Sequence, residues 1–363
     1  MKEVNFRCRE ATHPRKIIFI AENHPGDIKL IRPQARSGFG FDGIWTDDFH
    51  HAAIVSALGR GEAYYEDYRG CAQEFISLYK RGVLYQGQSS YHKKYPGTLV
   101  LDEPASAFIF YLENHDQISN ELMAERFNAL TDPARYRILS ALLLLAPETP
   151  LIFMGQEFAS SKPFNFFADY KDIQLVDLIL NGRKKFMAQL PTHEAAYLSP
   201  DAQKFVPSCC DEETFLKSKL DFNERIKNAH IYQMYYDLLK IRRENPMIAS
   251  QNRFKVDGAV LEMSSFVIRY YGEEGDDCLL LANLFREIHH KNLSEPLLAP
   301  SKKGEWQLIW SSQDPNYGGP GITHPCHKEG WIIPGLSVTL LKAVSKEDEP
   351  LIEKKYKIPS NGS

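Results

Sequence analysis

The order of apolar and polar positions along the chain changes character twice. Four short runs are apolar over most of their length and end in polar residues: IIFIAEN (17–23), GIWTDD (43–48), FIFYLENHDQ (108–117) and PLIFMGQE (150–157). Between them lie stretches with helical spacing, DDFHHAAIVSALG, GCAQEFISLYKRG and DPARYRILSALLLLA. Strands with no polar face, alternating with helices, predict a parallel sheet covered on both sides. The region 160–212 reads as irregular. Helical periodicity returns over 213–245, with Leu238, Leu239 and Ile241 as an apolar face and Asn245-Pro246 as its stop. Beyond about residue 250 come short runs, AVLEMSSFVIRYYG, DCLLLANLF, EWQLIWSS and LSVTLLKA, separated by Gly, Pro and Asp turns. That is the pattern of an antiparallel β unit. The charged tail 346–363 predicts disorder.

The fold class expected is therefore α/β. Residues 1–250 read as part of a (β/α)8 TIM barrel with closing helices, and 251–345 as a C-terminal antiparallel β domain. A complete barrel needs eight strands, and only the four runs above are convincing.

Composition narrows the function. Lys and Arg number 43 against 47 Asp and Glu, and the net charge of −4 gives no basic excess for nucleic acid or an anionic membrane. The longest oily stretch, ILSALLLLAPETPLIFMG (138–155), is interrupted by Pro147, Glu148 and Pro150 and reads as a buried helix running into a strand. The start, MKEVNFRCREATHPRK, has no apolar signal core. Six cysteines without a C-x-x-C pair predict reduced thiols in a cytoplasmic protein, not a disulfide frame or zinc site.

Candidate chemistry sits at the strand ends. Glu22 follows IIFIA directly; it is either an exposed strand-end acid or a catalytic one. Glu113, Asn114, His115, Asp116 and Gln117 follow FIFYL, where polar groups are costly unless they meet a ligand or one another. A carboxylate on each of two strands suggests glycoside hydrolysis, with one acting as acid/base and another stabilising an oxocarbenium-like centre. In DDFHH, the adjacent histidines His50 and His51 point to different faces. That spacing argues against a metal site with Asp47 and Asp48, and substrate contact by Trp45, Asp48 or His50 is the expectation instead. Tyr85 in VLYQGQ and Glu157 in FMGQEF read equally as cleft or scaffold residues, and NGRKKF as a solvated face.

FIFYLENHDQISNELMAERF, followed by LLLLAPETPLIFMGQEFASSKPFNFFADY, closely resembles the trehalohydrolases of glycoside hydrolase family 13, the α-amylase family. IIFIAEN, GFGFDGIWTDDFHHA, YKRGVLYQGQSSYHKKYPGT and SKLDFNER agree with the same family in the same order, over roughly residues 15 to 345. The resemblance implies barrel strands five to eight, with strands one to four absent. It implies a retaining mechanism in which Glu22 is the acid/base and Asp116 holds sugar hydroxyls and stabilises the transition state. Asn114, His115 and Gln117 would bind beside them. The implied substrate is a maltooligosyltrehalose, cut at the α-1,4 bond next to its terminal trehalose, with no cofactor and no metal. A branching enzyme or a non-catalytic α-glucan-binding remnant is the rival reading. The family nucleophile sits in Gly-Phe-Arg-x-Asp, which GFGFD (38–42) mimics. Asp42 nonetheless lies after the acid/base segment and has Gly40 where the arginine belongs, so it is expected to be structural or a minor cleft residue. The nucleophile would then come from the missing half, in the same protein or on a separate chain.

Overall fold

The computed structural model describes residues 1–23, 26–89, 96–199, 207–291, 293–301, 304–327 and 330–345. The tail expected to be disordered, 346–363, lies outside the described residues. The four apolar runs each contribute a short strand: β1 (Ile20–Ala21), β2 (Gly43–Trp45), β3 (Phe108–Phe110) and β4 (Thr149–Pro150). They form a parallel sheet in the order β1-β2-β3-β4. Ala21 pairs with Ile44, Ile44 with Phe108, and Ile109 with Thr149. Backbone bonds continue past the ladders, from Asp42 to the Phe19 carbonyl at 2.8 Å and from Leu151 to the Phe110 carbonyl at 2.7 Å. β1 is an edge strand, which is why Ile18 and Ile20, expected to be buried, are 75% and 49% exposed.

Helix α1 (Lys2–Thr12) lies at the lower end of β1 and β2, with the Asn5 amide donating to the Phe39 and Gly40 carbonyls. Helices α2 (Asp48–Leu58) and α3 (Ala72–Arg81) follow β2. Gly82 ends α3 at a φ of +80°, and a Cβ there would lie 2.4 Å from the Phe108 ring. Glycine is required at that position both for the left-handed turn and for the close approach. Helix Pro133–Leu145 is buried from Tyr136 to Leu145, because helix Ala229–Glu244 covers it. That covering helix buries Ile231, Met234, Tyr235 and Leu238, a one-face spacing, while Leu239 stays 37% exposed.

Two stretches differ from expectation. The region read as irregular contains helices Ile173–Met187 and Pro191–Leu198, the first capped by Asp172, which accepts from Gln174 and Leu175. The periodic stretch 213–245 is broken into Glu212–Lys217, Glu224–Lys227 and Ala229–Glu244. The cause is a turn in which the Asp221 carboxylate accepts from the Asn223 backbone and side-chain amides.

From residue 256 the chain is antiparallel. Strands β5 (Val256–Glu262), β6 (Ser265–Tyr270), β7 (Cys278–Asn283), β9 (Glu305–Ser311) and β12 (Ser337–Val344) form one sheet in the order β5-β6-β7-β12-β9. A small second sheet of β8 (Ile288–His290), β10 (Cys326–His327) and β11 (Gly330–Ile333) escaped the sequence pattern because its strands are short and half-polar. The large sheet packs directly on the α/β part. Phe75 of α3 stacks on Phe266 of β6 at 5.8 Å, and the Tyr270 hydroxyl donates to the Leu145 carbonyl at 2.8 Å. One apolar cluster runs from Ala21 through Phe75 and Leu142 to Phe266 and Leu340.

This shared core predicts that Phe266→Ala destabilises the whole chain by about 3–5 kcal/mol. Urea unfolding followed by far-UV circular dichroism should show one earlier transition. A loss below about 1 kcal/mol would contradict a joint core.

Candidate active site

The site is built by register. β1 and β2 run in parallel with Ala21 opposite Ile44, so Glu22 emerges level with Trp45, the last residue of β2. β3 pairs with β2 in the same direction, and its chain continues through Tyr111 and Leu112 to Asn114. There the backbone turns into helix α4 (His115–Ser119). The Asn114 side chain accepts from the amides of Asp116 and Gln117, and the Gln117 side chain accepts from Asn114 N–H at 3.1 Å. This capping box fixes His115 and Asp116 as the first residues of the turn, facing solvent above the sheet.

Glu22, His115 and Asp116 converge: one ligand-type atom from each lies within 4.8 Å of the others, and all three residues are exposed. His115 Nε2 is 3.5 Å from Asp116 Oδ1, and the Trp45 ring meets the His115 ring edge-to-face at 6.0 Å. Trp45 also meets Tyr111 edge-to-face at 5.8 Å. The result is an open ledge at the C-terminal ends of β1, β2 and β3, with two carboxylates, an imidazole and an indole. Two carboxyl groups this close can protonate a leaving oxygen and stabilise a developing positive charge at one sugar carbon. The same three side chains are also the group among the described residues whose donor atoms could gather round a cation.

The other expected sugar contacts are engaged by the protein itself. Asp48 is buried and accepts from the Tyr68 hydroxyl at 2.5 Å and from Leu84 N–H at 2.6 Å. His50 is buried, its Nδ1–H donating to the Leu112 carbonyl at 2.5 Å and its Nε2 standing 3.1 Å from the Tyr65 hydroxyl. Burial lowers the His50 pKa and keeps the ring neutral, against the pull of the Leu112 carbonyl and the Asp47 charge. The Tyr85 hydroxyl donates to the Asp67 carbonyl at 2.5 Å. Glu157 accepts from Gly155 N–H at 3.1 Å and lies 3.7 Å from Arg225. Asn114 and Gln117 serve as caps. Asp48, His50, Asn114 and Gln117, expected at the sugar, and Tyr85 and Glu157, read equally as cleft or scaffold, all make bonds within the protein, because a loop at a strand end must satisfy its own backbone. Asp42 precedes β2, at the opposite end of the sheet from Glu22, where it pairs with Arg9 at 2.6 Å and accepts from Phe19 N–H at 2.7 Å.

Three contributors were not foreseen. The Tyr111 hydroxyl donates to the Asp47 carboxylate; burial, then the charges of Asp47 and Glu22, hold its pKa far above the usual phenol value. Inside an apolar run it carried no signal beyond being the one residue with a hydroxyl. Arg126 is fully buried and donates to the Met154 and Lys162 carbonyls at 2.9 and 2.6 Å while lying 3.5 Å from Glu113. It thus ties the segment after β3 to the segment after β4. Arg183, read within a solvated face, donates to the Ser119 carbonyl and, at 3.3 Å, to the Asn120 side chain at the end of α4.

No protein-family model matches the chain. It superposes on a crystal structure of a Salmonella typhimurium protein assigned as an alpha amylase with a TM-score of 0.73 and 25% identity, over 94% of this chain and 54% of that one. An alpha-amylase from H. orenii shares the fold at a TM-score of 0.51 and 15% identity, over 94% of this chain and 56% of that one. In sequence the chain is similar to curated malto-oligosyltrehalose trehalohydrolases. The Deinococcus radiodurans enzyme is 37% identical over 255 residues, covering 67% of this chain and 40% of the relative. The Saccharolobus solfataricus enzyme is 34% identical over 236 residues, covering 65% and 38%. The chain thus spans about 40% of the length of the relatives it matches. No helix among the described residues is long and apolar enough to cross a membrane.

The neutral, buried His50 sets a pH dependence. Its pKa is lowered in the folded state, so the unfolded chain binds the proton more readily. The stability it contributes is therefore present above its ordinary value of 6.5 and is lost as pH falls below it. We expect wild-type stability to fall by up to about 1.4 kcal/mol per pH unit below that point from this residue alone. Urea unfolding at about pH 7.5 and about pH 5.5 should show a shallower loss for His50→Gln than for wild type. Equal losses would contradict the assignment.

Proposed function

We propose that this chain is the second half of a (β/α)8 barrel, strands five to eight, with its C-terminal β domain dividing from it near residue 250, in a trehalohydrolase. The complete enzyme hydrolyses the α-1,4 bond next to the terminal trehalose of a maltooligosyltrehalose, releasing trehalose and a shorter maltooligosaccharide in the cytoplasm. The observation that carries the reading is the approach of Glu22 and Asp116 to within 4.8 Å from the ends of two separate parallel strands. Glu22 protonates the leaving oxygen and then deprotonates the attacking water. Asp116, with His115, binds hydroxyls of the sugar whose anomeric carbon reacts. Trp45 offers an apolar ring to a sugar face.

A retaining mechanism also needs a nucleophilic carboxylate about 5–5.5 Å from the acid/base. Asp42 does not qualify, since it precedes β2 and is paired with Arg9. The reading takes the nucleophile from polypeptide beyond these 363 residues, either in the same protein or on a separate chain. The greater length of the relatives supports it. The sheet supports it too, since β1 and β4 are edges available to further strands.

The test joins this chain to the N-terminal part of the Deinococcus radiodurans relative and measures trehalose release from maltooligosyltrehalose. Glu22→Gln should lower the rate roughly 10²–10⁴-fold, as removal of a general acid does. Asp42→Asn should keep substantial activity. A loss below about threefold at Glu22 would sink its role, given the usual size of acid catalysis.

A further inference from the structure

Away from the strand-end site, two nucleophiles meet. Cys209 and Cys210 are adjacent in a turn, with their Sγ atoms 3.7 Å apart and both thiols free. Cys209 is 3% exposed and Cys210 is half-buried. The turn is tied to the surroundings of the site. The Cys209 carbonyl accepts from Ala168 N–H at 2.8 Å. Two residues earlier, the Phe166 ring packs under the Arg183 guanidinium at 4.8 Å. Arg183 in turn donates to the Ser119 carbonyl and the Asn120 side chain, at the end of the helix that begins with His115 and Asp116. The charge of Arg183 is also felt at the Cys209 sulfur.

We propose that Cys209 and Cys210 are an oxidisable vicinal dithiol whose closure to a disulfide is transmitted through Arg183 to helix α4. The oxidant class is a low-molecular-weight disulfide. The more accessible Cys210, as thiolate, attacks one sulfur of the oxidant and expels the other as a thiolate, leaving a mixed disulfide. Cys209 then attacks the Cys210 sulfur and expels the second thiolate. The two protons lost from the cysteines end on the two departing thiols, so the protein is oxidised by two electrons and the oxidant reduced by two. Adjacent Cα atoms are about 3.8 Å apart across a trans peptide. Unstrained disulfides prefer roughly 4.4–6.8 Å, so this bond is strained and readily reduced. It is suited to a reversible change and not to permanent reinforcement. Closure pulls the two sulfurs together and reshapes the turn that anchors Ala168. Burial, and the Cys210 thiol beside it, push the Cys209 thiol up to about 11. Closure should therefore accelerate as pH rises and the thiolate fraction grows.

The experiment treats the protein with oxidised glutathione and maps the peptide containing both cysteines by mass spectrometry, with hydrogen exchange measured in parallel. We expect that peptide to lose two hydrogens and to regain them on reduction. Cys209→Ser should instead retain a stable glutathione adduct on Cys210. Exchange over residues 115–122 should change on oxidation of wild type and not of Cys209→Ser. A glutathione adduct that persists on Cys210 of the unsubstituted protein would overturn ring closure. Unchanged exchange in a fully closed sample would overturn the coupling to α4.

Discussion

The in-register parallel pairing of β1, β2 and β3 is the constraint on which the site depends. With Ala21 opposite Ile44 and Ile44 opposite Phe108, the polar residues that end each run are delivered to one edge of the sheet. A slip of one residue would turn every side chain of a strand to the other face. The apolar runs prevent it, since Ile44, Phe108 and Phe110 are fully buried in the common core. The chemistry is thus positioned by residues that carry none.

Above this frame, polar side chains divide into two kinds. Asp48, Glu113 and Asn114 are buried, and each accepts backbone or hydroxyl hydrogens that fix a loop. Burial pushes the Glu113 carboxyl up, an effect that Arg126 and the Phe127 amide oppose. Glu22 and Asp116 are exposed and close to one another. Two like charges at that distance repel weakly in water and more strongly once a ligand displaces the water.

Much of this was legible beforehand. The runs IIFIA, GIW and FIF announced three neighbouring strands and the end at which Glu22 and Asp116 would stand, because apolar runs flanked by polar residues have few other solutions. Asp42, set aside on chain order and on Gly40 in place of the arginine, precedes β2, at the opposite end of the sheet from Glu22. The commitments of Asp48, His50 and Tyr85 were not legible. Each partner is a tyrosine hydroxyl, a backbone carbonyl or an amide that only the tertiary structure brings near. Helix Ile173–Met187 was missed because its Asp172 cap precedes a stretch whose apolar face is mostly exposed. Arg183 looked like one charge in a basic run, and its role at the end of α4 depends on a chain reversal that no local pattern encodes.

The measurement that bears most directly on the account is a crystal structure of the Glu22→Gln variant, joined to the N-terminal part of a relative, with maltooligosyltrehalose bound. The account predicts the scissile oxygen within about 2.6–3.2 Å of the residue 22 side chain, as acid catalysis requires. It also predicts Asp116 and His115 on hydroxyls of the adjoining glucose and Trp45 against a sugar face. A substrate bound with its scissile bond away from residue 22, or with Asp116 out of reach of the reacting sugar, would contradict it.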